Sequence, residues 1–368
     1  MIEKHEELLL LLALKNVNLV GDIMAKNLIS YCGNVQAVFN EPLRHLMKIP
    51  GVGEVVARNI READLSKAEK ELEFIRKNDI QVFAYHHSGY PHRLKPFDDS
   101  PFLIFYKGQN VLNHARTVGI VGTRTPTDYG RIMCDKIVES LSVYNPLIIS
   151  GLAYGIDGAA HKKSLASSIP TVGILGHGLD MIYPATHRSL AEKMLSQGGG
   201  LLTEFPSKTK PDKENFPMRN RIIAALSDVL VVVESKKKGG SIITAEMANE
   251  YNKDVFAVPG RLHDELSEGC NKLIKQNKAH LIESADDIGY IMRWEEMDAR
   301  KFIQTSLFVE LDATEQEVVQ LLRAEKELSI DQITYRLLKQ PSEVSSLLVN
   351  LEFKGVIRSL PGKKYVLF

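Results

Sequence analysis

The stretch Thr117-Val118-Gly119-Ile120-Val121-Gly122-Thr123-Arg124 decides how the chain is read. Its first half is apolar and β-branched with no polar alternation, as in a strand buried on both faces of a parallel sheet. It then breaks into two small residues and an arginine. The same form recurs downstream. Further candidate strands are Leu147–Gly151, Thr171–Gly176, Leu201–Phe205, Val229–Glu234, Val255–Val258 and His280–Ile282. Amphipathic stretches at 129–142, 156–167, 188–196, 219–225, 242–251 and 271–276 separate them. Strands alternating with helices predict an α/β fold, a parallel sheet covered on both faces.

In such a sheet, ligands bind beyond the carboxyl ends of the strands. Those ends read Gly122-Thr123-Arg124, Ser150-Gly151 through Tyr154 to Asp157, Gly176-His177-Gly178, Glu204-Phe205-Pro206, Lys238-Gly239-Gly240-Ser241 and Pro259-Gly260-Arg261. Glycine and small hydroxyl residues let backbone N–H groups and helix N-termini approach phosphates. Arg124, Arg188, Arg219, Arg221, Lys238 and Arg261 fall on the same margin. An arginine directly after Gly-Thr is explained by a phosphate better than by packing. Other readings stay open: Lys236–Lys238 as a solvated loop tip, and Arg219 and Arg221 as structural partners of Glu204 or Asp157. Tyr154, Tyr183 and Phe205 are either stacking platforms for bases or core.

The chain of 368 residues suits two or three domains and is 25% charged with formal net charge +0, so polyanion binding requires local clustering of charge. Cys32, Cys134 and Cys270 lie far apart, without zinc spacing or a disulfide framework, and a reducing compartment is expected. The apolar run Leu8–Leu14 is too short for a membrane span and reads as a buried helix. No Gly-x-Gly-x-x-Gly and no Walker lysine motif follow a strand, which disfavours dinucleotide cofactors and ATP hydrolysis, so no cofactor is expected. His161, His177 and His187 lack metal spacing, and His161 reads as hydrogen-bonded structure.

Residues 1–82 read as a helical domain with an internal echo: Val20–Leu28 matches Val52–Ile60 in residue type, position by position. The second copy, in Ile49-Pro50-Gly51-Val52-Gly53, is similar to the hairpin of a helix-hairpin-helix motif. Residues 83–294 form the core and 295–309 a linker. Residues 310–368 read as a winged helix, with capping boxes at Thr314/Glu317 and Ser329/Gln332, a helix after Pro341, and a hairpin turning at Pro361-Gly362. The third helix, Glu343–Phe353, carries almost no basic residues, which points to protein contact more than to duplex DNA.

At these residues the chain resembles the DprA/Smf family. The matching blocks are Gly119–Arg124, Ser150–Asp157 with Ala160-His161, Gly176–Asp180 with Tyr183-Pro184, Leu202–Pro206, and Phe216-Pro217 with Arg219–Ala224. They continue through Lys238–Ser241 with Thr244-Ala245 to Val258–Gly260 with Gly269–Asn271, all in family order across about residues 90 to 284. The flanks agree with members carrying an N-terminal helix-hairpin-helix or SAM-like domain and a C-terminal winged helix. The resemblance implies an extended Rossmann core that binds single-stranded DNA without catalysis, protects incoming strands in natural transformation, and loads RecA. It also implies a cytoplasmic homodimer with no membrane association. By motif, Arg124 looks like the phosphate-binding arginine; Arg188 stands where many members have lysine, and His187 where asparagine is common. Two alternatives remain. One is a LOG-type nucleotide phosphoribohydrolase using Asp157, Glu204 and Glu234, although that family's Pro-Gly-Gly-x-Gly-Thr-x-x-Glu loop is absent. The other is a scaffold whose terminal modules bind DNA.

Overall fold

A computed structural model describes residues 5–109, 111–294, 312–325, 327–354, 356–360 and 363–367. The chain divides into two compact units, residues 1–297 and 298–368.

Among the described residues of the first unit nine strands form one sheet: β1 Gln81–Ala84, β2 Leu103–Gly108, β3 Thr117–Val121, β4 Leu147–Ser150, β5 Thr171–Ile174, β6 Gly200–Thr203, β7 Val229–Val232, β8 Asp254–Ala257 and β9 His280–Leu281. Their order is β1-β2-β6-β5-β4-β3-β7-β8-β9. From β6 to β9 every pairing is parallel, while β2 lies antiparallel to β6 and β1 antiparallel to β2. The seven expected strands are present, and β1 and β2 are additional. Strand β1 crosses the boundary expected at 82/83, so the helical segment runs into the sheet rather than stopping before it.

The period-two geometry sorts each apolar run onto two faces. Ile149, Leu230, Val232 and Val255 point to one side, beneath helices at Asn215–Leu226, Gly240–Glu250 and Glu268–Lys275. Ile148, Val229, Val231 and Phe256 point to the other, beneath helices at Asp128–Ser140, Ile156–Ala166 and Ala285–Met292. Chain order reverses between β3 and β7. That reversal opens the crevice in which doubly wound sheets bind ligands.

Among the described residues six helices precede the sheet: α1 His5–Lys15, α2 Asp22–Cys32, α3 Val35–Asn40, α4 Leu43–Leu46, α5 Glu54–Arg61 and α6 Leu65–Lys77. Leu11, Leu12 and Leu14 are buried, as a helix read from the Leu8–Leu14 run should be. The echo is structural. Gly21 caps α2 at φ −87°, ψ 178°, and Gly53 caps α5 at φ −86°, ψ 175°. Two residues before each cap the backbone turns left-handed, at Leu19 (φ 69°) and Gly51 (φ 85°). The first copy therefore makes the same turn without the glycine that normally relieves it. These helices share one core with Val82, Phe102, Leu103 and Phe105 of the sheet. Polar ties reinforce it: Arg221 pairs with Asp22 at 3.4 Å, and the Ser207 N–H donates to the Glu71 carboxylate at 2.9 Å.

The second unit contains helices at Ala313–Glu325, Ile330–Leu337 and Pro341–Phe353, with strands at Leu328–Ser329, Ile357–Leu360 and Lys364–Leu367. The last strand is central and antiparallel to both others. The Ser329/Gln332 capping box is present. The expected Thr314/Glu317 box is not: Asp312 accepts the N–H groups of Thr314 and Glu315, and its own N–H donates to the Glu315 carboxylate at 2.9 Å. The helix therefore starts earlier, because Asp is as good a cap as Thr and Glu315 completes the reciprocal bond. The Pro361-Gly362 turn and the whole of the expected linker, 295–309, lie outside the described residues.

Candidate nucleic-acid interface

Strand β3 delivers Gly122, Thr123 and Arg124 to the crevice. The loop there is knitted to its neighbours by backbone bonds. The Thr123 N–H donates to the Glu234 carbonyl at 2.8 Å, and the Thr123 carbonyl accepts from the Ile156 N–H at 3.2 Å. Gly155, at φ 78°, makes this approach possible: a Cβ on it would lie 2.2 Å from the Thr123 carbonyl oxygen and 2.7 Å from Arg124 Cα. Arg124 leaves the loop exposed, with its guanidinium carbon 5.2 Å from the Phe216 ring centre.

The arginine is placed at the meeting of two open clefts. One, of about 860 Å³, is lined by Arg124, Arg131, Tyr154, Lys162 and Lys163, with Asp135 and His187. The other, of about 430 Å³, occupies the β3/β7 crevice and is lined by Gly122–Arg124, Lys213, Phe216, Lys236 and Lys238–Ser241, with Asp157 at its base. Arg131 pairs with Asp128, Lys163 with Glu139 and Lys236 with Glu265. Among the described residues no carboxylate pairs with Arg124, Lys162, Lys213 or Lys238. The chain is neutral overall, and this margin is cationic.

Several expected roles change. Arg219 is only 4% exposed and donates to the carbonyls of Gly151 and Ile174. Burial pulls its pKa down to about 10, against the opposing pull of Asp157. A Cβ on Gly151 would meet this guanidinium at 2.3 Å, so that glycine makes room for a buried arginine rather than for a phosphate. The Gly151 N–H is also taken, donating to Asp157 Oδ2 at 3.2 Å, and the Thr123 N–H is spent on Glu234. Neither is free to cradle an anion. Arg221 is structural too, bonded to Glu204 at 2.5 Å and to the Asp99 carbonyl. Gly122 accommodates Ile156, and Gly239 the Ser235 hydroxyl. Gly240 differs: a Cβ there meets nothing within 4 Å. It opens the helix Gly240–Glu250, whose first N–H groups lack intrahelical partners. The Ser241 hydroxyl is buried and donates to Ser235 Oγ at 2.8 Å. Arg188 is exposed but lines neither cleft, and Arg261 lines a separate cavity with Tyr129, Glu234 and His263.

Tyr154 and Tyr183 are each 46% exposed, and the Tyr183 ring lies 6.2 Å from that of Phe216. Sequence reasoning missed Phe216, Arg131, Lys162, Lys163 and Lys213 as cleft residues. The Lys162-Lys163 pair in the second half of the helix that follows a strand end was the available signal.

The carboxylates weighed for N-glycosidic cleavage are engaged elsewhere. Asp157 accepts from Gly151 beside Arg219, and burial raises its pKa. Glu204 is bonded to Arg221, and Glu234 accepts the Thr127 N–H at 2.9 Å. His161 and His187 are structural: the former bonds to Thr171 Oγ1 at 2.7 Å, the latter through Nδ1 to the Leu152 carbonyl at 2.9 Å.

The family model described as DNA recombination-mediator protein A matches residues 81–293, and the DprA winged helix domain matches residues 308–363. The chain is 40% identical over 252 residues to DNA processing protein DprA of Bacillus subtilis, covering 68% of this chain and 82% of that one. It is 30% identical over 391 residues to protein Smf of Synechocystis, covering 96% and 97%. Among solved structures, DprA of Streptococcus pneumoniae matches with a TM-score of 0.67 at 32% identity, over 77% of this chain and 96% of that one. DNA processing protein A of Helicobacter pylori, solved for insight into its single-stranded DNA binding mode, matches with a TM-score of 0.53 at 27% identity, over 59% and 97%. The blocks at the strand ends and both matching domains lead to one assignment: the chain belongs to the DNA recombination-mediator protein A family, DprA/Smf.

Proposed function

We propose that this chain binds single-stranded DNA along the carboxyl margin of its sheet, without catalysis, and hands it to RecA during DNA uptake. The phosphate backbone runs from the Lys162 side, past Arg124, to the free helix start at Gly240. The observation that carries this reading is Arg124 itself: exposed, paired with no carboxylate among the described residues, and held over Phe216 where two cationic clefts meet. Tyr154 and Tyr183 offer half-exposed faces for bases, each worth about 1–3 kcal/mol when stacked. Homodimerisation in the cytoplasm belongs to the same proposal and rests on family membership.

The test is a comparison of a labelled single strand with a duplex of the same length at fixed salt, by anisotropy. Tighter binding of the single strand is expected, and equal affinity or duplex preference would overturn the proposal. A chain ending at residue 294 should keep that preference; its loss would favour the scaffold reading. RecA transfer is checked by RecA filament nucleation on protein-covered single strands, where the chain should shorten the lag.

A further inference from the structure

Away from the sheet margin, a second constellation joins α1 to the segment following β1. Glu7 stands on α1, and His86 and His87 come directly after Tyr85. The Nε2 atoms of the two histidines lie 3.3 and 2.9 Å from the same Glu7 Oε1. Their rings stand edge-on, with centroids 4.3 Å apart and planes at 85°. One donor atom from each of the three residues fits within a sphere of contacts no wider than 4.8 Å. None of the three lines either DNA cleft.

We propose that Glu7, His86 and His87 bind a borderline divalent transition-metal ion of the Zn²⁺ or Co²⁺ class. The spacing fits that chemistry. Ligand atoms about 2.0–2.1 Å from zinc at tetrahedral angles lie about 3.3 Å from one another. The separations from Glu7 Oε1 to the two histidine nitrogens, 2.9 and 3.3 Å, already stand near that value, and all three donor atoms lie within 4.8 Å of one another, so an ion can take the place of the imidazole–carboxylate hydrogen bonds. Two imidazoles and one carboxylate suit zinc, cobalt, nickel or copper, whereas magnesium and calcium favour all-oxygen sets. Side-chain exposures of 21%, 34% and 21% for Glu7, His86 and His87 leave an entry path and room for a water as the fourth ligand. The bound ion ties the start of α1 to the sheet-proximal segment, pinning the first helix of the chain at its outer end.

The test uses the full chain, stripped with chelator and titrated with Co²⁺, then Zn²⁺. One equivalent should give the visible absorption of four- or five-coordinate cobalt, be displaced by Zn²⁺, resist excess Mg²⁺, and raise the unfolding temperature. Glu7→Gln and His87→Gln should each weaken uptake about tenfold or more. His45→Gln, which removes a two-ligand pair with Glu41, should not. Failure of stoichiometric uptake, equal competition by Mg²⁺, unchanged uptake in both site variants, or loss in His45→Gln would each overturn the assignment. Circular dichroism without metal monitors folding, and if His87→Gln does not fold, Glu7→Gln decides.

Discussion

Replacing Arg124 with alanine separates a phosphate contact from a structural one. The side chain is exposed and its recorded neighbour is the Phe216 ring at 5.2 Å, so its removal should cost little stability, about 0.5–1 kcal/mol for an exposed cation–π contact. If the guanidinium meets a phosphate, the lost charge-assisted bond is worth about 1.5–3 kcal/mol, or roughly 10- to 150-fold in affinity. One phosphate contact on a single strand also contributes about 0.7 to the slope of log K against log salt. Over a fourfold change in salt, from about 50 to 200 mM, the variant's deficit should therefore shrink about 2.6-fold. Anisotropy titrations at several salt concentrations, on two unrelated sequences, read both quantities. Arg124→Lys should recover the slope and only part of the affinity, since lysine keeps charge but not the planar fork. A folded Arg124→Ala protein with unchanged affinity and slope would refute the assignment.

Gly155→Ala places a methyl group 2.2 Å from the Thr123 carbonyl on a left-handed backbone; it should cost about 2–4 kcal/mol in urea unfolding and displace Arg124, lowering affinity with it. Wild-type stability would show that the loop does not depend on this contact. Leu19→Gly should stabilise by about 0.5–1 kcal/mol, because Leu19 is 68% exposed and left-handed, so little packing offsets the relief. A loss in the same assay counts against equivalence of the two turns. Burial, aided by the nearby Arg219 guanidinium, pushes the His161 pKa down to about 3 from 6.5. Its folded-state pKa is thus depressed, so its contribution is present above pH 6.5 and is lost as pH falls from there toward 3. His161→Gln should flatten the decline in unfolding free energy between about pH 6.5 and 4.5 by up to about 1.4 kcal/mol per pH unit. Parallel curves for the two proteins would sink this attribution.

The parallel strands were legible because they are buried on both faces: Val229–Val232 and Leu147-Ile148-Ile149 are short, uninterrupted apolar runs rich in β-branched residues. Strands β1 and β2 were not, because Gln81–Ala84 follows a helix within four residues and its burial depends on the N-terminal helices packed against it. At the site, Arg124 was legible from its place after a strand end. Arg219 and Arg221 were not separable from it by residue type: what sets them apart is the direction of their helix, which turns both guanidinium groups inward to carbonyls and Glu204. The strand-end glycines posed the same difficulty. Glycine is required alike beside a phosphate and beside a buried arginine, and only the neighbour's identity tells Gly240 from Gly151.

Phe216, Arg219 and Arg221 stand within two turns of one helix, Asn215–Leu226. The first supports Arg124, the second anchors the floor at Gly151, and the third grips Asp22 of α2. A rigid rod with three such attachments cannot roll at one without strain at the others. Tilting of the N-terminal helices would therefore reach the ring beneath the arginine, and a strand drawn across that ring, as proposed above, would work back on the N-terminal helices by the same shaft.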